Sequence, residues 1–238
     1  MLTPVEFGIV VPARNESGHI ERCLLSVNRA IVESQARCSI VVVDDRSTDQ
    51  TGEIARQMME GRPGASVISP GPINVGNARA LGVNYLAQDA AARPRWIVST
   101  DADSEVPADW LARLRTHDEA GFDAVAGIVA IKGHRSLKDA FEARYRRGIT
   151  ADGHSHVHGA NLAIRLDVYD QVGGFMPMPC GEDQDLWKRV KLAGFRTVSD
   201  TALVVTTSAR LRSRTRGGFA TDLRSIHQDL LDERFAAT

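Results

Sequence analysis

Four short apolar runs, each followed by a segment of helical character, constrain this chain more than any other feature. They are Phe7-Gly8-Ile9-Val10-Val11-Pro12, Ser39-Ile40-Val41-Val42-Val43, Ser66-Val67-Ile68 and Trp96-Ile97-Val98-Ser99-Thr100. None shows the apolar-polar alternation of a strand with one wet face, so they read as strands buried on both sides. Between them, Ile20, Leu24, Val27 and Ile31 recur at helical spacing. Ser47-Thr48-Asp49-Gln50 reads as a capping box that opens a helix running to about Gly61. A third helix is expected from Asn74 to Ala90 after a glycine-containing turn. The order β-α-β-α-β-α-β predicts an α/β fold with a parallel sheet and right-handed crossovers.

Beyond residue 100 the pattern is less regular. Helices are expected over Pro107 to Glu119, Leu137 to Gly148, Glu182 to Ala193 and from about Phe219 onward. Strands are expected over Ala124 to Ile131, Gly159 to Arg165 and Thr197 to Val205. No repeat or long linker divides the chain, and 238 residues suffice for one domain with a full core. Net charge is -1, which gives no reason to expect nucleic acid as a partner. The start lacks the features of a signal peptide, and no run of about 18 apolar residues is present. The three cysteines have no metal-ligand spacing and read as packing residues. A cytoplasmic location is the expectation.

In an open parallel sheet, ligands bind outside the carboxyl ends of the strands. Three such ends are polar here: Pro12-Ala13-Arg14-Asn15-Glu16, Asp44-Asp45-Arg46-Ser47 and Asp101-Ala102-Asp103. Two carboxylates two residues apart at a strand end repel each other, and a hard divalent cation such as Mn2+ or Mg2+ relieves that repulsion. Arg14 and Arg79 suit phosphate oxygens. Neither a G-x-G-x-x-G nor a G-x-x-x-x-G-K-[ST] motif is present, so a dinucleotide fold and a P-loop are unsupported. Ser47 and Asp49 read as structural caps. His154, His156 and His158 alternate and fit either a transition-metal site or a loop and acceptor wall. Trp96, Trp110 and Trp187 suit core packing.

Six segments in order resemble a family 2 glycosyltransferase with the GT-A fold. They are Ile9 to Glu16, Val43 to Asp49, Asn77 to Gly82, Ser99 to Asp103, Gly159 to Arg165 and Gly181 to Leu186, all within roughly residues 6 to 206. The resemblance implies a single domain whose mostly parallel central sheet is flanked by helices. Its first 105 residues or so would be the nucleotide-binding half, and about 106–238 the acceptor and catalytic half. It implies a nucleotide-diphosphate sugar as donor, most readily a UDP-sugar. Pro12, Ala13, Arg14 and Glu16 would line the nucleotide pocket. Asp45 would accept the N3–H of uracil, with Asp44 supporting the loop. Asn77 and Arg79 would hold the nucleotide sugar. Asp101, with Ala102 beside it, would meet ribose or sugar, and Asp103 would carry the metal on the diphosphate. Gly159, Ala160 and Asn161 would shape the donor sugar and acceptor site. Asp183 would be the general base of an inverting transfer, beside Glu182.

Gly181 permits a tight turn there, and acidic residues in a first helical turn suit the helix dipole. The basic run Arg210, Arg212, Arg214 and Arg216 falls where the family often has a mobile loop; it would close on the diphosphate or touch anionic lipid. The acceptor, whether glycan, lipid or small molecule, is not implied. One departure is the lack of a late metal-binding His: Thr206-Thr207-Ser208 follows Val205, so a hydroxyl or water would substitute. The rival readings are a sugar-phosphate nucleotidyltransferase and a non-catalytic nucleotide-sugar-binding protein.

Overall fold

The computed structural model describes residues 5–69, 74–90, 92–150, 153–211 and 219–236, with side chains through Asp232. The first half runs β1 (Phe7–Ala13), α1 (Ile20–Ser34), β2 (Cys38–Asp44), α2 (Thr51–Met59), β3 (Ala65–Ile68), α3 (Val75–Ala87) and β4 (Trp96–Ser99). The second half runs β5 (Ser104–Glu105), α4 (Trp110–Glu119), β6 (Ala124–Lys132), α5 (Arg135–Tyr145), β7 (Ile149–Thr150), β8 (Gly153–His154), β9 (Leu162–Arg165), α6 (Leu166–Gln171), α7 (Glu182–Leu192), β10 (Thr197–Ser208) and α8 (Phe219–Ala236). Eight strands form one sheet in the order β3-β2-β1-β4-β9-β6-β10-β5, and β7 and β8 form a small hairpin.

The expected parallel half is present: β1 pairs in parallel with β2 and β4, and β2 with β3. β6 and β10 are also parallel. Three pairings are antiparallel: β9 with β4, β9 with β6, and β5 with β10. Strand β9 therefore starts at the edge where β4 ends, with Leu162 opposite Ser99. The strand expected over Gly159 to Arg165 begins only at Leu162, because Gly159–Asn161 form a 3-10 turn that brings the chain in from that edge.

Both faces of the sheet are covered. Along β1, Phe7, Ile9, Val11 and Ala13 face a core shared with α1, α2 and α4, while Val10 faces a second core shared with α3, α6 and α7. A third cluster packs α5 and α8 over the end of β6. Trp96, Trp110 and Trp187 are all buried, as expected. Cys23 and Cys38 pack into the first core. Among the described residues, no helix is long and apolar enough to cross a membrane.

Two local expectations are corrected. The capping box at Ser47 does not form. Ser47 Oγ instead accepts from Asn15 N at 2.9 Å, Thr48 N donates to Asn15 Oδ1 at 2.7 Å, and Ser17 N donates to Asp49 Oδ2 at 3.1 Å. These polar side chains stitch the loop after β1 to the loop after β2, and α2 starts later, at Thr51. The second correction is Asn161, expected in the donor site. It is 1% exposed; its Nδ2 donates to Ile128 O and Leu203 O, and its Oδ1 accepts from Trp110 Nε1 at 3.1 Å. It pegs β6, β10 and α4 together beneath the site.

Replacing Asn161 with Ala leaves two buried carbonyls and an indole N–H short of a partner. Asn161→Ala should cost about 3 kcal/mol, and Trp110→Phe, which gives up one of these bonds, should cost less. Urea denaturation followed by circular dichroism checks the order; a cost near zero for Asn161→Ala would remove the peg.

Candidate active site

A cleft of about 480 Å³ opens at the carboxyl edge of the parallel strands. Pro12, Ala13, Arg14 and Glu16 line it from the end of β1, Asp45 from the end of β2, and Arg79 from α3. Asp101, Ala102 and Asp103 line it beyond β4, Gly159 and Ala160 ahead of β9, and Glu182 and Asp183 at the start of α7. Asp44 and Asn77 do not reach it. Adjacent strand residues point to opposite sides, and Asp44 turns to accept from Ser47 N at 3.1 Å, supporting the loop that presents Asp45. Asn77 is held at the start of α3 by its backbone bond to the Asn74 side chain, on a different side of the helix from the lining residues Val75, Ala78 and Arg79.

Arg79 is the centre of the arrangement. It is 3% exposed. Its Nε donates to Ser99 Oγ at 3.0 Å, one terminal nitrogen donates to Asp101 Oδ1 at 2.5 Å, and the other donates to Glu182 Oε1. One guanidinium thus joins α3, the end of β4 and the start of α7. The sequence makes room for it at Gly159, where a Cβ would lie 2.3 Å from the guanidinium carbon. Helix α7 is entered through Gly181 at φ +80°, a left-handed turn that costs glycine little. Asp183 follows, with Oδ2 accepting from Gly159 N at 2.6 Å and Oδ1 from Gln184 N at 2.8 Å. On the opposite wall, Asp103 accepts from the hydroxyls of Ser208 at 2.8 Å and Thr207 at 3.4 Å. Asp45 receives Arg14 Nη1 at 3.3 Å.

Residues 8–173 match the family model for glycosyl transferase family 2, well over half of the chain. The chain belongs to glycosyl transferase family 2. Its relatives include the succinoglycan biosynthesis protein ExoA of Rhizobium meliloti, 27% identical over 82% of this chain and 61% of that protein. Another is a dolichyl-phosphate hexose transferase of Haloferax volcanii, 33% identical over 56% of this chain and 51% of that one. The chain thus spans about half to three-fifths of the length of these two relatives. Among solved structures, S. aureus TarS superposes with a TM-score of 0.66 at 16% identity, over 85% of this chain and 36% of that one. The mannosyltransferase PcManGT from Pyrobaculum calidifontis gives 0.64 at 21% identity, over 88% and 58%. The fold is therefore that of the GT-A glycosyltransferases.

Several residues of this family 2 site carried no sequence signal. Val129, Val157, Phe219 and Ala220 give the cleft an apolar wall, and α8 adds Asp222. Cys180 lines the cleft rather than packing in a core. The three histidines are engaged elsewhere than on a metal: His154 Nε2 donates to Ala126 O and His156 Nε2 to Tyr145 O, and His158 Nε2 is hydrogen-bonded to the Tyr145 hydroxyl, all within 3.0 Å. The His156 ring stacks on Tyr145 with centroids 3.7 Å apart. Only His158 lines the cleft, and burial pushes its pKa down to about 4. Arg210 is turned inward, onto Glu16 and Asp103, which removes it from a lipid-facing role. Arg212, Arg214 and Arg216 lie outside the described residues.

The donor set suits a hard cation. Asp101 and Asp103 offer oxygen only, next to two hydroxyls; although 37% of its side chain stays open to the cleft, the surrounding protein strips enough water from Asp101 to raise its carboxyl, against the pull of Arg79 and with the Asp103 charge adding to the rise. Among the described residues, no group of three His, Cys, Asp or Glu could hold a metal alone. A cation bound here would take its remaining ligands from water and a diphosphate. Burial likewise raises Glu182, against the pull of Arg79. Arg79 itself loses from burial but is held charged by Asp101, Glu182 and Asp183.

Removing one member of a buried ion pair leaves the other uncompensated, so Arg79→Met should cost about 3 kcal/mol or more at pH 8. Without Arg79, the Asp101 and Glu182 carboxyls rise further. Acids raised in the folded state favour folding below the ordinary carboxylate range and lose that favour as pH climbs through the raised values. The variant should therefore be less destabilised at pH 5 than at pH 8 when melting is compared with the native chain. A penalty that is flat or larger at pH 5 would contradict the clamp.

Proposed function

We propose that this chain transfers a sugar from a nucleotide-diphosphate sugar to an acceptor hydroxyl, inverting the anomeric centre. The observation that carries this reading is the convergence of Asp45, the Asp101 and Asp103 pair, and Asp183 on one cleft. Each carboxylate has a different task. Asp45, 7% exposed with Arg14 beside it, would accept the N3–H of uracil from a UDP-sugar. Asp103, with Asp101, would hold Mn2+ or Mg2+; bound there, the ion supplies Lewis-acid stabilisation of the departing diphosphate. The PcManGT structure carries GDP-Man and Mn2+, and that of GalNAc-T7 carries UDP, GalNAc and Mn2+, which is consistent with this assignment.

Asp183 takes the proton from the acceptor hydroxyl as its oxygen attacks the anomeric carbon. The backbone N–H groups of Gly159 and Gln184 fix its carboxylate. Glu182 is 3% exposed and tied to Arg79, so it positions α7 and leaves the proton transfer to Asp183. One base and direct displacement turn an α-linked donor into a β-glycoside. Some relatives are named for polyprenyl phosphate substrates, such as the undecaprenyl-phosphate 4-deoxy-4-formamido-L-arabinose transferase of Edwardsiella ictaluri. A phosphate acceptor is already ionised at neutral pH, so dependence on Asp183 separates the two acceptor classes.

Asp183→Asn should keep donor affinity and lower turnover by about 100-fold or more. Asp103→Asn should abolish Mn2+-dependent UDP binding. Calorimetry and a sugar-release assay over a UDP-sugar panel measure both. Near-normal turnover in Asp183→Asn would overturn the base. Pyrophosphate release from a nucleoside triphosphate and a sugar phosphate would overturn transfer in favour of nucleotidyl chemistry.

A further inference from the structure

Asp103 and Glu16 reach the cleft from different segments, one after β4 and one after β1. Their side chains are 8% and 4% exposed. Two carboxylates withdrawn from water so near each other need a cation between them. The chain provides one of its own. Arg210 Nη1 lies 2.5 Å from Glu16 Oε1, and Arg210 Nη2 lies 3.2 Å from Asp103 Oδ2. The backbone just before it is anchored, with Ser208 N donating to Asp103 O and Ala209 N to Lys132 O. The Arg210 side chain is 36% exposed, the most open member of the triad. Asp101 adds to the negative field around its guanidinium.

Asp103 is also the carboxylate assigned to the metal. A guanidinium and a divalent ion cannot share it cheaply, since like charges at contact distance repel. We propose that Arg210 is the resident counter-ion of the donor site: it shares its one positive charge between Asp103 and Glu16 when no ligand is bound and must leave Asp103 when a divalent cation binds. The inference rests on the reading that Asp103 carries the metal. It has a thermodynamic consequence. Metal alone must displace Arg210 with nothing offered in return, so it binds weakly. A diphosphate arriving with the metal gives the guanidinium new oxygen partners. Metal and nucleotide then strengthen each other's binding, and the coupling is reciprocal. The arginine so converts two weak ligands into one joint event.

The test is a Mn2+ titration followed by electron paramagnetic resonance, with and without UDP, on the native chain, Arg210→Ala, Arg210→Lys and Asp103→Asn. Without nucleotide, Arg210→Ala should bind Mn2+ about tenfold tighter than the native chain, the size expected for losing a competing charge-assisted pair. Arg210→Lys should stay near the native value. UDP should improve Mn2+ affinity far less in Arg210→Ala than in the native chain. Melting gives a second readout: Arg210→Ala should melt below the native chain without Mn2+ and regain the difference with it. A merely structural ion pair would lower the melting temperature without tightening Mn2+. If Asp103→Asn loses Mn2+ while Arg210→Ala matches the native affinity, the metal reading stands and the counter-ion falls. If Mn2+ binding is indifferent to Asp103→Asn, both fall.

Discussion

The site depends on one buried guanidinium. Arg79 bonds to Ser99 at the end of β4, to Asp101 just beyond it and to Glu182 at the start of α7. A buried arginine is tolerable only if its donors meet acceptors in the right places, so it fixes the relative position of three elements. Those elements carry the proposed metal carboxylates and the proposed base. Gly159 gives way to the guanidinium and, through its N–H, holds Asp183. The clamp therefore sets the separation between the Asp101–Asp103 end of the cleft, proposed for the diphosphate, and the Asp183 end, proposed for the acceptor. Because its Glu182 and Arg79 ends are both almost fully buried, this pair carries more of the energy than the half-open Asp101 end, where 37% of the side chain meets solvent.

Charge explains why such a cleft would need a metal. Among the described residues, seven carboxylates and three guanidiniums line it. A nucleoside diphosphate is itself an anion, and all three guanidiniums, Arg14, Arg79 and Arg210, are already engaged by carboxylates. An anion entering this field needs a cation to enter with it. In the proposed reading, the acidic lining and the ion pairs act together, so that binding energy would appear when metal and diphosphate arrive together.

Much of this was legible in the chain. Buried parallel strands announce themselves as unbroken apolar runs, and their polar ends mark the cleft, so Arg14, Glu16, Asp45, Asp101 and Asp103 could be located from the chain itself, whereas Glu182 and Asp183, at the start of a helix, came only through the family resemblance. The direction of β9 could not, because Leu162-Ala163-Ile164 looks the same run either way. Motif membership also overreached. Asp44 and Asp45 are neighbours, yet a strand sends neighbours to opposite sides, and only Asp45 lines the cleft. Asn161 belongs to a matching segment but satisfies buried carbonyls below the site. Arg210 sat in a basic run that reads as a loop closing on the diphosphate or touching lipid, and only the fold reveals the two buried carboxylates it serves. The apolar wall from Val129, Val157 and Phe219 is assembled from distant segments and leaves no local pattern.

The central claim is that these carboxylates bind a nucleoside diphosphate only together with a divalent cation. A thermal-shift titration with UDP, GDP, CDP and TDP, each with and without Mn2+, tests it most directly, because a ligand of the native state raises the melting temperature by mass action. The account predicts a shift for UDP that appears with Mn2+ and vanishes without it. A shift of equal size in the absence of Mn2+, or none for any of the four with Mn2+ present, would contradict it.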